Sequence, residues 1–95
     1  MPRFVAQTLF QDYNLIASNF YIWIDFFQPS RLPQWSGSFD LHPTSQFNPN
    51  SIARITTYKV QLNDGRSGII RIHDCAVSSH TGELNIQFNG DGTLE

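Results

Sequence analysis

From Phe20 onward apolar and polar residues alternate with a period of two, and clusters of Gly, Pro and Asn cut the alternation into short runs. Successive side chains of an extended strand point to opposite faces, so this period predicts strands. The run 20–27 places Phe20, Ile22, Ile24 and Phe26 on one face and Tyr21, Trp23, Asp25 and Phe27 on the other. Both faces are largely apolar, which requires that the strand be sandwiched or that something cover its second face. Pro29 and Pro33 end it, and 35–41 then alternates large apolar residues with small or polar ones as a second strand or half-strand. The run 42–51 holds Pro43 and Pro49 among Thr, Ser and Asn, which is loop chemistry. Phe47 stands alone in it and reads as a plug into the core.

The segment 52–77 is split by Asn63-Asp64-Gly65, a hairpin signal. A two-residue turn would pair Asn63 with Arg66, setting Val60 opposite Ile69 but Tyr58 opposite Arg71 and Leu62 opposite Ser67. A three-residue loop would pair Leu62 with Arg66, so that Val60 faces Gly68, Tyr58 faces Ile70 and Thr56 faces Ile72. The second register gives the cleaner apolar face and puts Gly65 at the left-handed position of a turn followed by a bulge, and it is preferred. Leu84, Ile86 and Phe88 alternate with Asn85, Gln87 and Asn89 as a half-buried strand after the turn at 78–82. Residues 1–19 are ambiguous. Phe4, Ala6, Thr8 and Phe10 alternate like a strand, whereas Leu9, Tyr13 and Ile16 also fit a helical stripe. Residues 3–11 are assigned as strand. The sum is an all-β fold, a small antiparallel β-barrel or sandwich of five to six short strands, in one domain over 1–93. The closing Leu94-Glu95 reads as a vector-encoded dipeptide and is set aside.

Composition narrows the function classes. Only 15% of the 95 residues are charged, 14% are aromatic, and the net charge is −2, a balance that argues for a folded domain over disorder. The single cysteine, Cys75, excludes an internal disulfide and the paired thiolates of a zinc ribbon. Met1-Pro2-Arg3-Phe4 opens no secretory h-region, so a reducing, cytoplasmic setting is the expectation. The longest apolar run, 20–24, falls far short of the roughly 20 residues that span a bilayer as a helix. No membrane association is expected.

Candidate chemistry is sparse. His73 and Cys75 would share one face of a regular strand, but residues two apart stand roughly 6–7 Å apart at the backbone and no Gly-rich turn offers an oxyanion hole. Cys75 packing as a small hydrophobe is the simpler reading. His73, Cys75, His80 and His42 match no metal-site spacing, so neither metal nor other cofactor is expected. The carboxylates Asp25, Asp40, Asp64, Asp74 and Glu83 are spread singly, which leaves no acid–base pair to argue from. The stretch 52–73 is net positive by three, from Arg54, Lys59, Arg66 and Arg71 less Asp64. Beside Tyr58 such a face could track single-stranded nucleic acid, as small barrels sometimes do, although the overall negative charge disfavours it.

The aromatic surface is the more informative feature. Tyr21, Trp23 and Phe27, with Trp35, are expected to form it. Three things could cover it: the N-terminal segment with Phe4 and Phe10, a second copy of the chain in a homodimer, or a ligand such as a sugar ring or a partner's peptide. The reading is a non-enzymatic interaction module, binding another protein or itself through this surface. The alternative is a single-strand binder using the basic hairpin 54–71.

Overall fold

A computed structural model describes residues 2–27, 34–44, 47 and 57–95, the side chains of Phe27 and Gln34 apart. Six strands account for the alternation: β1 (Arg3–Gln11), β2 (Asn14–Phe27), β3 (Gln34–Leu41), β4 (Thr57–Leu62), β5 (Ser67–Val77) and β6 (Leu84–Asp91). They close into an antiparallel barrel in the order β1-β2-β3-β6-β5-β4, with β4 paired back onto β1. Closure gives each of the six described strands a neighbour on both sides, which limits the edge open to aggregation.

The β4–β5 hairpin adopts the three-residue register. Tyr58 lies opposite Ile70 and Val60 opposite Gly68. The Leu62 amide donates to the Arg66 carbonyl (2.8 Å), the Gly65 amide donates to the Leu62 carbonyl (3.1 Å), and Gly65 takes a φ of 95°. The matching of Thr56 with Ile72 falls outside the described residues. Pattern and turn agree here because the pair is local and one face of it, Tyr58, Val60, Leu62, Ile70 and Ile72, is buried.

Residues 3–19 form a hairpin, not a helix, and the mixed signal has a physical cause. Gln7 is an extra residue in β1 relative to β4, since Ala6 pairs with Leu62 but Thr8 with Gln61. A bulge of this kind moves the inward parity by one residue, so Ala6 and then Leu9 are fully buried. Asn19 in the neighbouring strand takes a left-handed φ of 54°, a conformation that Asn tolerates better than most side chains. In β2 the parity also shifts there, from Ala17 packed on the core to Phe20, Ile22 and Ile24. A strand that changes face midway yields a mixture of period-two and period-three spacings, which is what Phe4, Ala6, Leu9 and Ile16 presented.

Among the described residues fifteen side chains fill the barrel, including Ile22 and Ile24 of β2, Phe39 of β3 and Ile86 and Phe88 of β6. Phe47 is 2% exposed and stacks on Tyr58 (centroids 5.8 Å apart, planes 20° apart), so it does plug the core. Its amide donates to Thr44 Oγ1 (2.9 Å) and its carbonyl accepts from the Thr44 amide (2.8 Å).

The opposite end of the barrel is built around Trp35, which is only 3% exposed. Its indole lies over Gly90, where a Cβ would overlap the ring, and a Cβ at Gly68 would stand 2.9 Å from Cζ2. The ring meets Phe88 edge to face at 5.9 Å, and its Nε1–H donates to the Gly92 carbonyl (2.9 Å). Leu94 packs on the core beside Gly68, and the Glu95 amide donates to the Ser67 carbonyl (2.9 Å). The closing dipeptide, set aside on sequence grounds, is therefore part of the packing.

Because Trp35 occupies the space a side chain at position 90 would need, Gly90→Ala should lower stability by about 3 kcal/mol, the upper range for overpacking a core. Urea denaturation measures this. In the Gly90→Ala/Trp35→Leu double variant the two losses should be far from additive, because the smaller side chain removes the clash. Additive losses would show that the two residues do not contend for the same space.

Candidate functional site: an aromatic groove on the outer sheet

The register of β2 divides its aromatic residues between two environments. Ile22 and Ile24 point into the barrel, so Tyr21 and Trp23 face outward, with Tyr21 53% exposed. No second layer of the described chain covers them. The N-terminal segment, which the sequence offered as a cover, is instead the strand beside them, with Arg3 opposite Trp23 and Val5 opposite Tyr21. The Arg3 side chain reaches over, its guanidinium carbon 4.4 Å from the Tyr21 ring centroid. That spacing is a cation–π contact.

On the other side β3 brings Ser38 opposite Trp23 and Phe39 opposite Ile22. A Cβ at Gly37 would run into the Trp23 carbonyl, so glycine there keeps β3 tight against the backbone that carries the indole. Phe20, Tyr21 and Trp23 with Asp40 and Glu83 line an open groove of about 290 Å³. Phe20 is anchored by the Phe39 ring at 5.3 Å. Asp40 accepts a hydrogen bond from Asn85 Nδ2 (2.8 Å), and Asn85 is its neighbour across the β3–β6 pair. Glu83 leads into β6 from a turn closed by the Gly82 amide on the Ser78 carbonyl (2.9 Å) and by the Ser78 amide on the Glu83 carbonyl (2.9 Å). Its carboxylate lies 3.5 Å from His42 Nε2. The groove thus has aromatic walls and two carboxylates, and none of its lining residues is a cation.

Of the aromatic residues expected on this surface, Tyr21 and Trp23 are brought together and Trp35 is not. Trp35 belongs to the interior, because β3 turns positions 35, 37 and 39 inward. The side chain of Phe27 lies outside the described residues. Asp40, Glu83 and Phe20 were not singled out together by sequence. Asp40 and Glu83 join the groove through the β3–β6 pairing, which no local spacing reveals.

Among the described residues the basic side chains do not converge into a free cationic face. Arg66, at the hairpin tip, makes an ion pair with Asp64 (2.9 Å), which holds the Asp64 carboxyl below its usual range, and its guanidinium lies 5.1 Å from the Phe4 ring. Arg71 is paired with Asp91 (3.1 Å). Lys59 is exposed on β4, and Arg54 lies outside the described residues. Tyr58, the ring expected to stack on a base, is 2% exposed inside the barrel, and burial raises its phenol pKa.

A second bulge separates the Cys–His pair. Ile72 pairs with Phe88 but Asp74 with Gln87, so His73 is the extra residue. His73 is exposed, whereas Cys75 turns back to pack on the core. The regular strand on which both would share a face is not formed. Burial pushes the Cys75 thiol up, and the neighbouring Asp74 carboxylate adds to the shift. Among the described residues no three His, Cys, Asp or Glu side chains gather at a metal-binding distance.

A thiol shifted in this direction is a poor nucleophile. The alkylation rate of Cys75 by iodoacetamide should rise with an inflection above 9.0, its unshifted value. An inflection well below it would reveal a stabilised thiolate. Cys75 and Tyr58 both ionise more readily in the unfolded chain, so they bind more protons folded than unfolded on the alkaline side. Stability should therefore hold below roughly pH 8.5 and fall as pH rises through roughly 9 to 11, which thermal melts across that range would record.

Compared with models of protein families, with curated proteins and with solved structures, the chain matches none.

Proposed function

We propose that this protein is a non-catalytic binding module and that its contact surface is the outer β2–β3 groove around Tyr21 and Trp23. The observation that carries the reading is the division of aromatic residues. The barrel interior is filled by its own side chains, yet exposed Tyr21 and half-buried Trp23 lie on its outer face, where they line an open groove. Outward rings among polar neighbours are the usual make-up of the centre of a contact surface, because they bury much area at small entropic loss. The raised Cys75 thiol and the dispersal of the histidines give no support to an enzyme. The ion pairs of Arg66 and Arg71 leave the nucleic-acid reading with little free positive charge.

Isotope-labelled protein offers a direct test. Backbone and indole signals can be followed while the protein itself is diluted from millimolar to micromolar and while a set of small organic fragments is added. Shifts should gather on Tyr21, Trp23, Asp40 and Glu83, and Trp23→Ser should abolish them without changing the fold. Dilution shifts that report a second copy would identify self-association as the mode. Shifts clustering at residues 63–66 or elsewhere, with the groove silent, would contradict the reading.

A further inference from the structure

The groove's charge and ring chemistry narrow what it binds, an inference that rests on the groove being the contact surface. Asp40 and Glu83 supply two carboxylates at its border, and no lysine or arginine is among its lining residues. Among the described residues Asp40 accepts from a neutral amide and Glu83 is paired with His42. Tyr21 and Trp23 line the same groove. The ring faces carry negative potential, and indole attracts cations more strongly than phenol does. The molecule already uses this property once, since the guanidinium of Arg3 sits 4.4 Å from the centroid of Tyr21. An arginine from a partner would find the same kind of ring in Trp23, with carboxylates in reach that Arg3 does not engage through an ion pair. We propose that the groove receives an arginine- or lysine-bearing segment of another protein, its cation held over Trp23 and its charge met by Asp40 and Glu83.

The reasons for this occupant over others are on the same surface. An acidic segment would face two carboxylates, and like charges brought together in an interface oppose binding. A second copy of this chain would bring the same two carboxylates to a symmetric contact, with the same penalty. A basic segment meets opposite charge and a ring surface together. The chain's net charge of −2 adds a weak long-range attraction in the same direction.

The test uses three labelled peptides of about eight residues, alike except that one carries Arg and Lys, one Glu and one Gln. Affinity is read by fluorescence anisotropy and location by nuclear magnetic resonance. The basic peptide should bind, moving the Trp23 indole, Asp40 and Glu83 signals. Neutralising the border in Asp40→Asn/Glu83→Gln should weaken it about three- to tenfold, the scale of two exposed charge pairs. Trp23→Leu should weaken it by about three- to thirtyfold, the range of a cation–π contact from exposed to desolvated. Raising the salt from 50 to 300 mM should weaken it further. Equal melting temperatures for the variants and the parent would separate lost binding from lost folding.

Preference for the Gln or Glu peptide at the groove would overturn the basic-partner inference and leave the groove as a contact surface. Basic-peptide shifts spread over Asp64, Asp74 and Asp91 with Trp23 unmoved would also overturn it, as attraction to negative charge in general. If no peptide, no fragment and no concentration of the protein moves the groove signals, both the inference and the reading beneath it fail.

Discussion

Trp35 laid across Gly68 and Gly90 is the fit on which one end of this barrel depends. The space inside a closed sheet grows with strand number, and six strands leave less than the eight that just admit a layer of side chains. An indole fits within six only where the facing positions carry no side chain. The chain supplies glycine at both, on two different strands, and places Phe88 against the ring edge. The ring's one polar atom is satisfied by the Gly92 carbonyl. The last residues of the chain follow from the same arrangement, since Leu94 covers the glycine side of the indole. At the other end Phe47 and Tyr58 stack, so each end of the interior holds aromatic rings in contact with one another.

With the interior filled in this way, Tyr21 and Trp23, on the opposite parity of β2, are turned outward. Two-faced apolarity in the strand 20–27 therefore does not signal burial on both sides. Ile22 and Ile24 of one face are core, Phe26 of the same face is 46% exposed, and Tyr21 on the other face is at the surface. The bulges at Gln7 and His73 work on the same principle, changing which side chains face in so that a short sheet can coil into a closed one. At His73 this has a chemical consequence. The histidine is left outside while Cys75 is drawn toward the core, which separates the one pair of residues that resembled a nucleophile and its base.

Much of the architecture was legible in the residues, and the limits have physical causes. The β4–β5 hairpin could be read to its register because its turn is local and its buried face is unambiguous, with Gly65 at the position that needs a positive φ. The strand character of 84–89 and the burial of Phe47 followed from alternation and isolation in the same way. Trp35 was misplaced although its alternation with Ser36, Gly37 and Ser38 already put it on one face with Phe39. What decides that this face is interior is the pair of glycines at 68 and 90, which are remote in sequence. Tyr58 was misread as a surface ring for a similar reason, since its partner Phe47 lies across a loop. The groove's carboxylates were invisible as a set because strands β3 and β6, distant in the chain, bring Asp40 and Glu83 beside Trp23 only after the barrel closes.

The two tryptophans have opposite fates, Trp35 inside the barrel and Trp23 in the outer groove. Acrylamide quenching of the intrinsic fluorescence of dilute protein tests this most directly, with Trp23→Phe and Trp35→Phe used to assign each emitter. The account expects a Stern–Volmer plot that curves downward, with a readily quenched, red-shifted population from Trp23 and a shielded, blue-shifted one from Trp35. Equal accessibility of the two, or a shielded Trp23 in a monomer of confirmed mass, would contradict it.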